Sequence, residues 1–252
     1  MPLRVYSPAN VLNRNREITI GVSGHTQPVT YELNGQLGPN NRLQRISSSN
    51  VSRVQTYFFK SAPDFDITDT LRFYNPVDDE AIIEIRTDGP LAIITDIIKT
   101  QLELDNDQVY IYNQEVNIPQ DGRLYIVVGF LGITPYSYNS EIVCEGNDMF
   151  EVSAINSVYQ VEINIFSKGE QALFRKEEVL LALRSQYSQN QQVLNGMSVS
   201  RTPTQLVNLS PIEGPAILYR FNMTFNMHYN EETKKEINQL GNPSHPIIRF
   251  DR

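Results

Sequence analysis

Three histidines, one cysteine and a short acidic run are the residues in this 252-residue chain whose types could do chemistry. The imidazoles are His25, His228 and His245, and the thiol is Cys144. A zinc site gathers its ligands at close spacings, roughly three to five residues apart on at least one side. No two of these four residues stand that close. His228 therefore reads as an ordinary surface histidine and Cys144 as a plain, partly buried thiol. The run "DFDITD" places Asp64, Asp66 and Asp69 together, enough to attract a hard cation. It lacks the glycine and the closing glutamate of a calcium loop, so it predicts a solvated acidic turn. "GVSG" at 21–24 is half of a nucleophile elbow, without the full G-x-S-x-G pattern or the strand–turn–helix context. Neither phosphate-cradling glycine pattern occurs. The 13 Tyr and 11 Phe follow strand alternation and read first as core; a sugar-binding surface would use them exposed, but the chain has no Trp. These residues predict a binding or structural protein with no catalytic residue, no metal and no cofactor.

The totals narrow the class. A net charge of -8 disfavours a protein that holds nucleic acid by neutralising phosphates. The charge is unevenly spread: residues 1–60 hold seven Lys and Arg against two Asp and Glu, and residues 61–115 hold three against thirteen. That imbalance reads either as two differently solvated regions or as complementary surfaces between copies or with a partner. One cysteine cannot form an internal disulfide. The first residues, "MPLRVYSPANVLNRNREITIG", carry no apolar stretch of signal-peptide length, and no run approaches the roughly 20 apolar residues of a membrane span. The expectation is a protein made in the cytoplasm, or held in an assembly built there.

The elements that would position such surfaces fall into three regions. Residues 1–87 hold short alternating runs between turn clusters: "EITIGVSG" with Ile18, Ile20 and Val22 on one side, "PVTYELNG" with Val29, Tyr31 and Leu33, then "VSRVQTYFFK" and "DTLRFYNP". They predict a small, loop-rich β region or an extended arm that borrows strands from neighbours. Residues 88–232 begin with a helix. Pro90 suits its first turn, Asp88 a cap, and Ile93, Ile94, Ile97, Ile98 and Leu102 make one apolar stripe. "QVYIYNQ" follows as a strand, and "GRLYIVVGFLGITPYSY" (122–138) reads as a strand buried on both faces. "SVYQVEINIFSKG" alternates Tyr159, Val161, Ile163 and Ile165 against Gln160, Glu162 and Asn164. A second helix is predicted over 170–189, with Leu173, Leu180, Leu183 and Tyr187 inward. After a short strand at "MSVSRT" comes "GPAILYRFNMTFNMHYN" (214–230), a long strand. Its apolar face is Ile217, Tyr219, Phe221, Met223, Phe225, Met227 and Tyr229. Residues 233–252 read as a C-terminal arm. The fold class predicted is α+β: a mostly antiparallel sheet with two main helices packed on one face, plus the loop-rich β N-terminal region. Candidate subunit contacts are the polar rows: Arg175, Glu177, Glu178 and Arg184 on the second helix, and Arg220, Asn222 and Thr224 on the long strand.

Residues 158–232 resemble the neck-terminator or tail-terminator family of tailed bacteriophages. The strand ending in "INIFSKG", the helix with Ala172, Leu180 and Arg184 in an A-x₇-L-x₃-L-type register, the loop "LVNLSP" and the arginine-bearing strand "LYRFNMTFNMHY" carry the likeness. Arg184 departs from the apolar form of its slot. Upstream, "PLAIITDIIKTQ" and "YIVVGFLG" sit where the family has its first helix and first strand, so the resemblance spans roughly 88–232; residues 1–87 have no counterpart. The resemblance implies a non-enzymatic virion protein assembled in the host cytoplasm. It implies a homo-hexameric ring that caps the tail tube and meets the tube protein on one side and neck, connector or collar proteins on the other. DNA would pass through without specific binding, and no membrane would be involved. Another head–tail connector or baseplate subunit, a receptor- or carbohydrate-binding module, and a lysin-like enzyme with dispersed carboxylates are the competing readings.

Overall fold

The computed structural model describes residues 3–25, 27, 29–46, 54–64, 66–77, 80–111, 121–145, 148–200, 206–210 and 218–236. Among the described residues nine strands precede the first helix: β1 (Arg4–Tyr6), β2 (Val11–Leu12), β3 (Glu17–Ser23), β4 (Thr30–Leu33), β5 (Gln36–Leu37), β6 (Leu43–Arg45), β7 (Val54–Lys60), β8 (Ile67–Tyr74) and β9 (Ala81–Thr87). They form two sheets, ordered β1-β3-β7-β6 and β2-β9-β8-β4-β5. Alternation turns Ile18, Ile20 and Val22 of β3 and Tyr57 and Phe59 of β7 inward, where they share one core with Leu33, Leu71, Phe73 and Ile85 of the other sheet. The Tyr57 ring joins the layers, 4.9 Å from Phe73 and 5.0 Å from Tyr31. These strands pair within the chain. β9, "AIIEIRT", was not among the expected runs; Ile85 fills the core while Ile82 is exposed.

The second half builds α1 (Pro90–Leu102), β10 (Val109–Ile111), β11 (Tyr125–Glu145), β12 (Asp148–Ser167), α2 (Gln171–Arg184), α3 (Gln186–Leu194), β13 (Met197–Val199), β14 (Val207–Asn208) and β15 (Tyr219–Glu236). The sheet order is β10-β11-β12-β15-β13, with β14 also on β15. The chain is α+β, with antiparallel pairing except at β2/β9 and β10/β11, which are parallel. One face of this sheet is apolar. Ile126 and Val128, Val161, Ile163 and Ile165, and Phe221, Met223, Phe225 and Met227 form one core with Ile93, Ile94, Ile97 and Ile98 of α1 and Ala172, Val179, Ala182 and Leu183 of α2.

The helical expectations need three corrections. Asp88 is not the cap of α1. Gly89 holds that position, while the Asp88 carboxylate accepts from the Gly89 N–H at 2.6 Å and pairs with Arg86 at 2.6 Å. The single helix predicted over 170–189 is two, because Ser185 is extended at φ -61 and ψ 158. Its hydroxyl accepts from the Ser188 N–H at 3.0 Å and caps α3. Among the described residues there are therefore three helices where two main ones were expected, and Leu173, Leu180 and Tyr187, expected inward, are only partly buried at the margin of the core. Ser167 and Gly169 form the turn into α2. A Cβ on Gly169 would lie 3.0 Å from the Gly122 carbonyl oxygen, so only glycine fits without moving backbone.

Three strand expectations also change. The loop "LVNLSP" contributes β14, paired with Asn222 and Phe221 of β15. β15 takes in residues 233–236, expected in the C-terminal arm; the rest of that arm, with His245, lies outside the described residues. The run at 122–138 is buried only at its start, because β11 continues past the helices into solvent.

Candidate assembly surface

Strands β11, β12 and β15 are 21, 20 and 18 residues long. At about 3.3 Å per residue each spans roughly 60–70 Å. A helix of the length of α2 covers only about 21 Å. The helices therefore roof one end of the sheet, and the strands run on as a three-stranded arm.

Register identifies the faces of the arm. Ile133 lies opposite Tyr159, which is in the core, so Ile133 continues the helix-covered face. Tyr138 lies opposite Ile155 and Ile142 opposite Glu151, both on the same side of β12 as Tyr159. Ile133, Tyr138 and Ile142 are 50%, 67% and 62% exposed. Covering all three would be worth on the order of 5 kcal/mol before association costs. Register shifts between Phe130 and Gly132 and between Pro135 and Ser137 bulge β11. β10 pairs only with Ile126, Val127 and Val128, so among the described residues no strand covers the outer edge of β11 beyond them. Bulges and a proline interrupt that edge, which blunts uncontrolled strand addition while leaving the faces open. Cys144, expected to be partly buried, is exposed near the far end of the arm.

The opposite face of the sheet is polar and cross-linked. The Arg220 guanidinium donates to Asn164 Oδ1 at 3.0 Å, and Asn222 donates to Glu162 at 2.5 Å and to Asn164 at 3.2 Å. Thr224 lies opposite Glu162, and Asn230 donates to Asn156 at 2.9 Å. His228 is exposed on the same face, its ring 6.1 Å from that of Tyr136. The candidate contacts read from sequence thus divide. Arg220, Asn222 and Thr224 share this polar face, whereas Arg175, Glu177, Glu178 and Arg184 belong to α2 in the helical layer. Arg175 donates to Glu178 at 2.7 Å and to the Leu102 carbonyl at 3.0 Å, tying α2 to the end of α1; it is a fastening within the chain. Lys176 beside Glu177, at 2.9 Å, holds that carboxyl below its usual range. Arg184 is exposed on the lip of a groove between α2, α3 and β13. Sequence reasoning missed the apolar row of the arm. The available signal was "GFLGITPYSYNS", where glycine, proline and serine interrupt the continuous apolar run.

The first β region is fixed to this half through the segment from Pro8 to Arg16, which includes β2. The Asn13 N–H donates to Asn195 Oδ1 at 2.6 Å, Gln191 donates to the Pro8 carbonyl at 2.8 Å, and Arg14 pairs with Glu231. Gly196 closes this junction at φ +62, with the Arg16 guanidinium lying where a Cβ would stand.

The acidic run does not form a site. Asp69 is fully buried and is taken by Arg42 and Asn34, and Asp66 pairs with Arg86 at 3.1 Å; the solvated turn expected there is correct for neither Asp69 nor its strand, β8. Among the described residues no cluster of three or more His, Cys, Asp or Glu is arranged to hold a metal, and no helix is long and apolar enough to cross a membrane.

No family model and no curated protein matches the chain. Among solved structures, bovine butyrophilin aligns over 94% of this chain and 99% of its own at 8% identity and a TM-score of 0.26. A tandem segment of titin aligns over 92% and 98% at 6% identity and 0.23. An endo-fucoidan hydrolase of glycoside hydrolase family 107 aligns over 94% and 44% at 8% identity and 0.20. Overlaps this slight carry no argument about fold or activity.

Proposed function

We propose that the chain is a non-enzymatic structural virion protein. In this reading it is the subunit of a homo-hexameric ring at the head-proximal end of a bacteriophage tail. The ring caps the tail tube, joins it to neck, connector or collar proteins, and leaves a lumen for DNA. One observation carries the reading: β11 continues beyond the helical cover of the sheet with Ile133, Tyr138 and Ile142 in water, on a face that β12 and β15 complete with Glu151, Glu231, Thr233 and Lys235. An isolated subunit gains nothing from such a face, whereas a subunit packed against copies of itself buries it. The resemblance over 88–232 supplies the kind of assembly. The two main helices, α1 and α2, back one face of the sheet and leave the amide-rich face of Asn164, Asn222 and Asn230 free. The net charge of -8 suits a passage along which DNA slides, because like charge resists phosphate binding.

Immunogold electron microscopy of virions tests the placement, with antibody raised to residues 1–87. Label at the head–tail junction is the expected result. Label at the distal tip would move the protein to the baseplate or receptor-binding class. Particles without label, from a lysate that labels strongly, would contradict a virion role once the epitope is shown to be accessible in assembled particles.

A further inference from the structure

β13 ends the sheet of the second half, three residues long and paired on one side by β15. The Ser200 N–H donates to the Asn226 carbonyl at 2.8 Å, and the Asn230 N–H to the Gly196 carbonyl at 3.2 Å. Residues 196, 198 and 200 therefore turn their backbone groups to β15, and Met197 and Val199 turn theirs outward. Gln192 Oε1 accepts from the Val199 N–H at 2.8 Å. Among the described residues no strand lies against the rest of that edge. Beside it, α2 and α3 leave a groove of 690 Å³ lined by Leu180, Leu183, Val193, Met197 and Phe225 among others. Sites that take a compact ligand run to roughly 300–1,000 Å³. A strand edge beside an apolar groove offers an extended segment backbone bonds and apolar burial at once.

We propose that residues 247–250, "IIRF", of the same chain occupy this groove as a strand added to β13. Three observations select that occupant. The first is pattern. Strand alternation puts Ile248 and Phe250 on one face, suited to Leu180, Leu183 and Val193, and leaves Arg249 on the other. β-branched and aromatic residues favour a strand. Pro246 stands at the start of the run, where a strand tolerates proline. The second is reach. β15 ends at Glu236, nine residues past Met227, which pairs with Val199. Nine strand residues span roughly 30 Å, and the eleven of 237–247 extend to about 36 Å. "GNP" at 241–243 supplies turn chemistry for the return. The third is elimination among the stretches outside the described residues. Residues 112–120 connect β10 to β11 at the opposite edge of the sheet. "SSSNVSR" (47–53) and "RTPTQ" (201–205) are polar but for one valine, and "PIEGPAI" (211–217) has two prolines and a glycine, which oppose a strand. A segment tethered to the same chain also docks at high effective concentration. The contact leaves the exposed row of β11 for other copies, so it stands or falls independently of the ring reading.

Disulfide trapping in the full-length chain tests the contact. Cys144 is the single native cysteine, so Cys144→Ser gives a silent background. In it, Val193→Cys is combined with Ile248→Cys. Val193 is 81% exposed on the rim of the groove, so its substitution does not disturb the core. A control chain combines Ile248→Cys with Leu37→Cys, a position 67% exposed in the first β region. The expected result is a disulfide within one chain, about tenfold more abundant at Val193 than at Leu37. Equal yields at the two positions, or no product at either, overturn the assignment. A disulfide that links separate chains gives the groove to a neighbour's segment and overturns the same-chain contact. Hydrogen exchange tests the strand itself. Ile248→Pro is incompatible with a paired strand and should speed exchange of the Met197 amide about tenfold, with the amides of α1 unchanged. An unchanged rate at Met197 overturns strand addition.

Discussion

Asp69 shows how far a single residue can be read. It sits two and four residues before Leu71 and Phe73, so strand alternation carries it inward with them. Grouped with Asp64 and Asp66 as an acidic turn, it looked solvated; placed on β8, it is fully buried and neutralised by Arg42 with help from Asn34. A carboxylate in that position is tolerable only while its partner remains. Arg42→Met should therefore cost about 3 kcal/mol of stability, because it leaves the charge buried and unpaired. Urea denaturation measures this. A loss of only a few tenths of a kcal/mol would mean that Asp69 does not depend on Arg42. Arg175 teaches the complementary lesson. Its charge and helical position suggest a contact surface, but its bond to the Leu102 carbonyl is long-range in sequence, and no spacing pattern could reveal it.

At the scale of elements, apolar periodicity was a sound guide wherever one face met one core. The stripe of α1 and the rows of β3, β12 and β15 lie where alternation or helical spacing puts them. It failed where an element outlasts its cover. Nothing local in β11 says that α1 and α2 stop at Phe130, so an apolar run read as buried on both faces is a buried strand followed by an exposed arm. It also missed the break at Ser185, since a serine inside a helical pattern caps a new helix only if the backbone turns there. The packing of α3 on α1 carries a pH signature. Tyr187 of α3 donates to Asp96 of α1 at 3.0 Å, and burial raises the Asp96 carboxyl above its ordinary value, while Tyr187 and Lys99 pull it partly back. A raised acid holds its proton more tightly in the folded state. Its contribution to stability is full below the ordinary aspartate value and is lost as pH rises through the raised one. Asp96→Asn keeps an oxygen for Tyr187 and removes that loss. The variant should melt at or above the parent at neutral pH, with a flatter dependence of Tm on pH across that acidic window. Parallel curves for the two proteins would contradict this account of the α1–α3 contact.

At the scale of the whole molecule, two cores are joined by the segment from Pro8 to Arg16. The charge imbalance along the sequence is in part an internal matter, since Arg42 from the basic stretch neutralises Asp69 from the acidic one; separately, Arg14 reaches Glu231 across the junction. Folding leaves Ile133, Tyr138 and Ile142 of β11 exposed beyond the helices, and a groove between α2, α3 and β13. On the reading proposed above, the β11 surface meets copies of the chain arranged around an axis. The most direct measurement is the mass and shape of the purified native chain, by light scattering and negative-stain electron microscopy at several concentrations. The account predicts a closed ring of six chains with an open centre, its population growing with concentration at the expense of monomer. A chain that stays monomeric throughout, its arm stably in water, would contradict it.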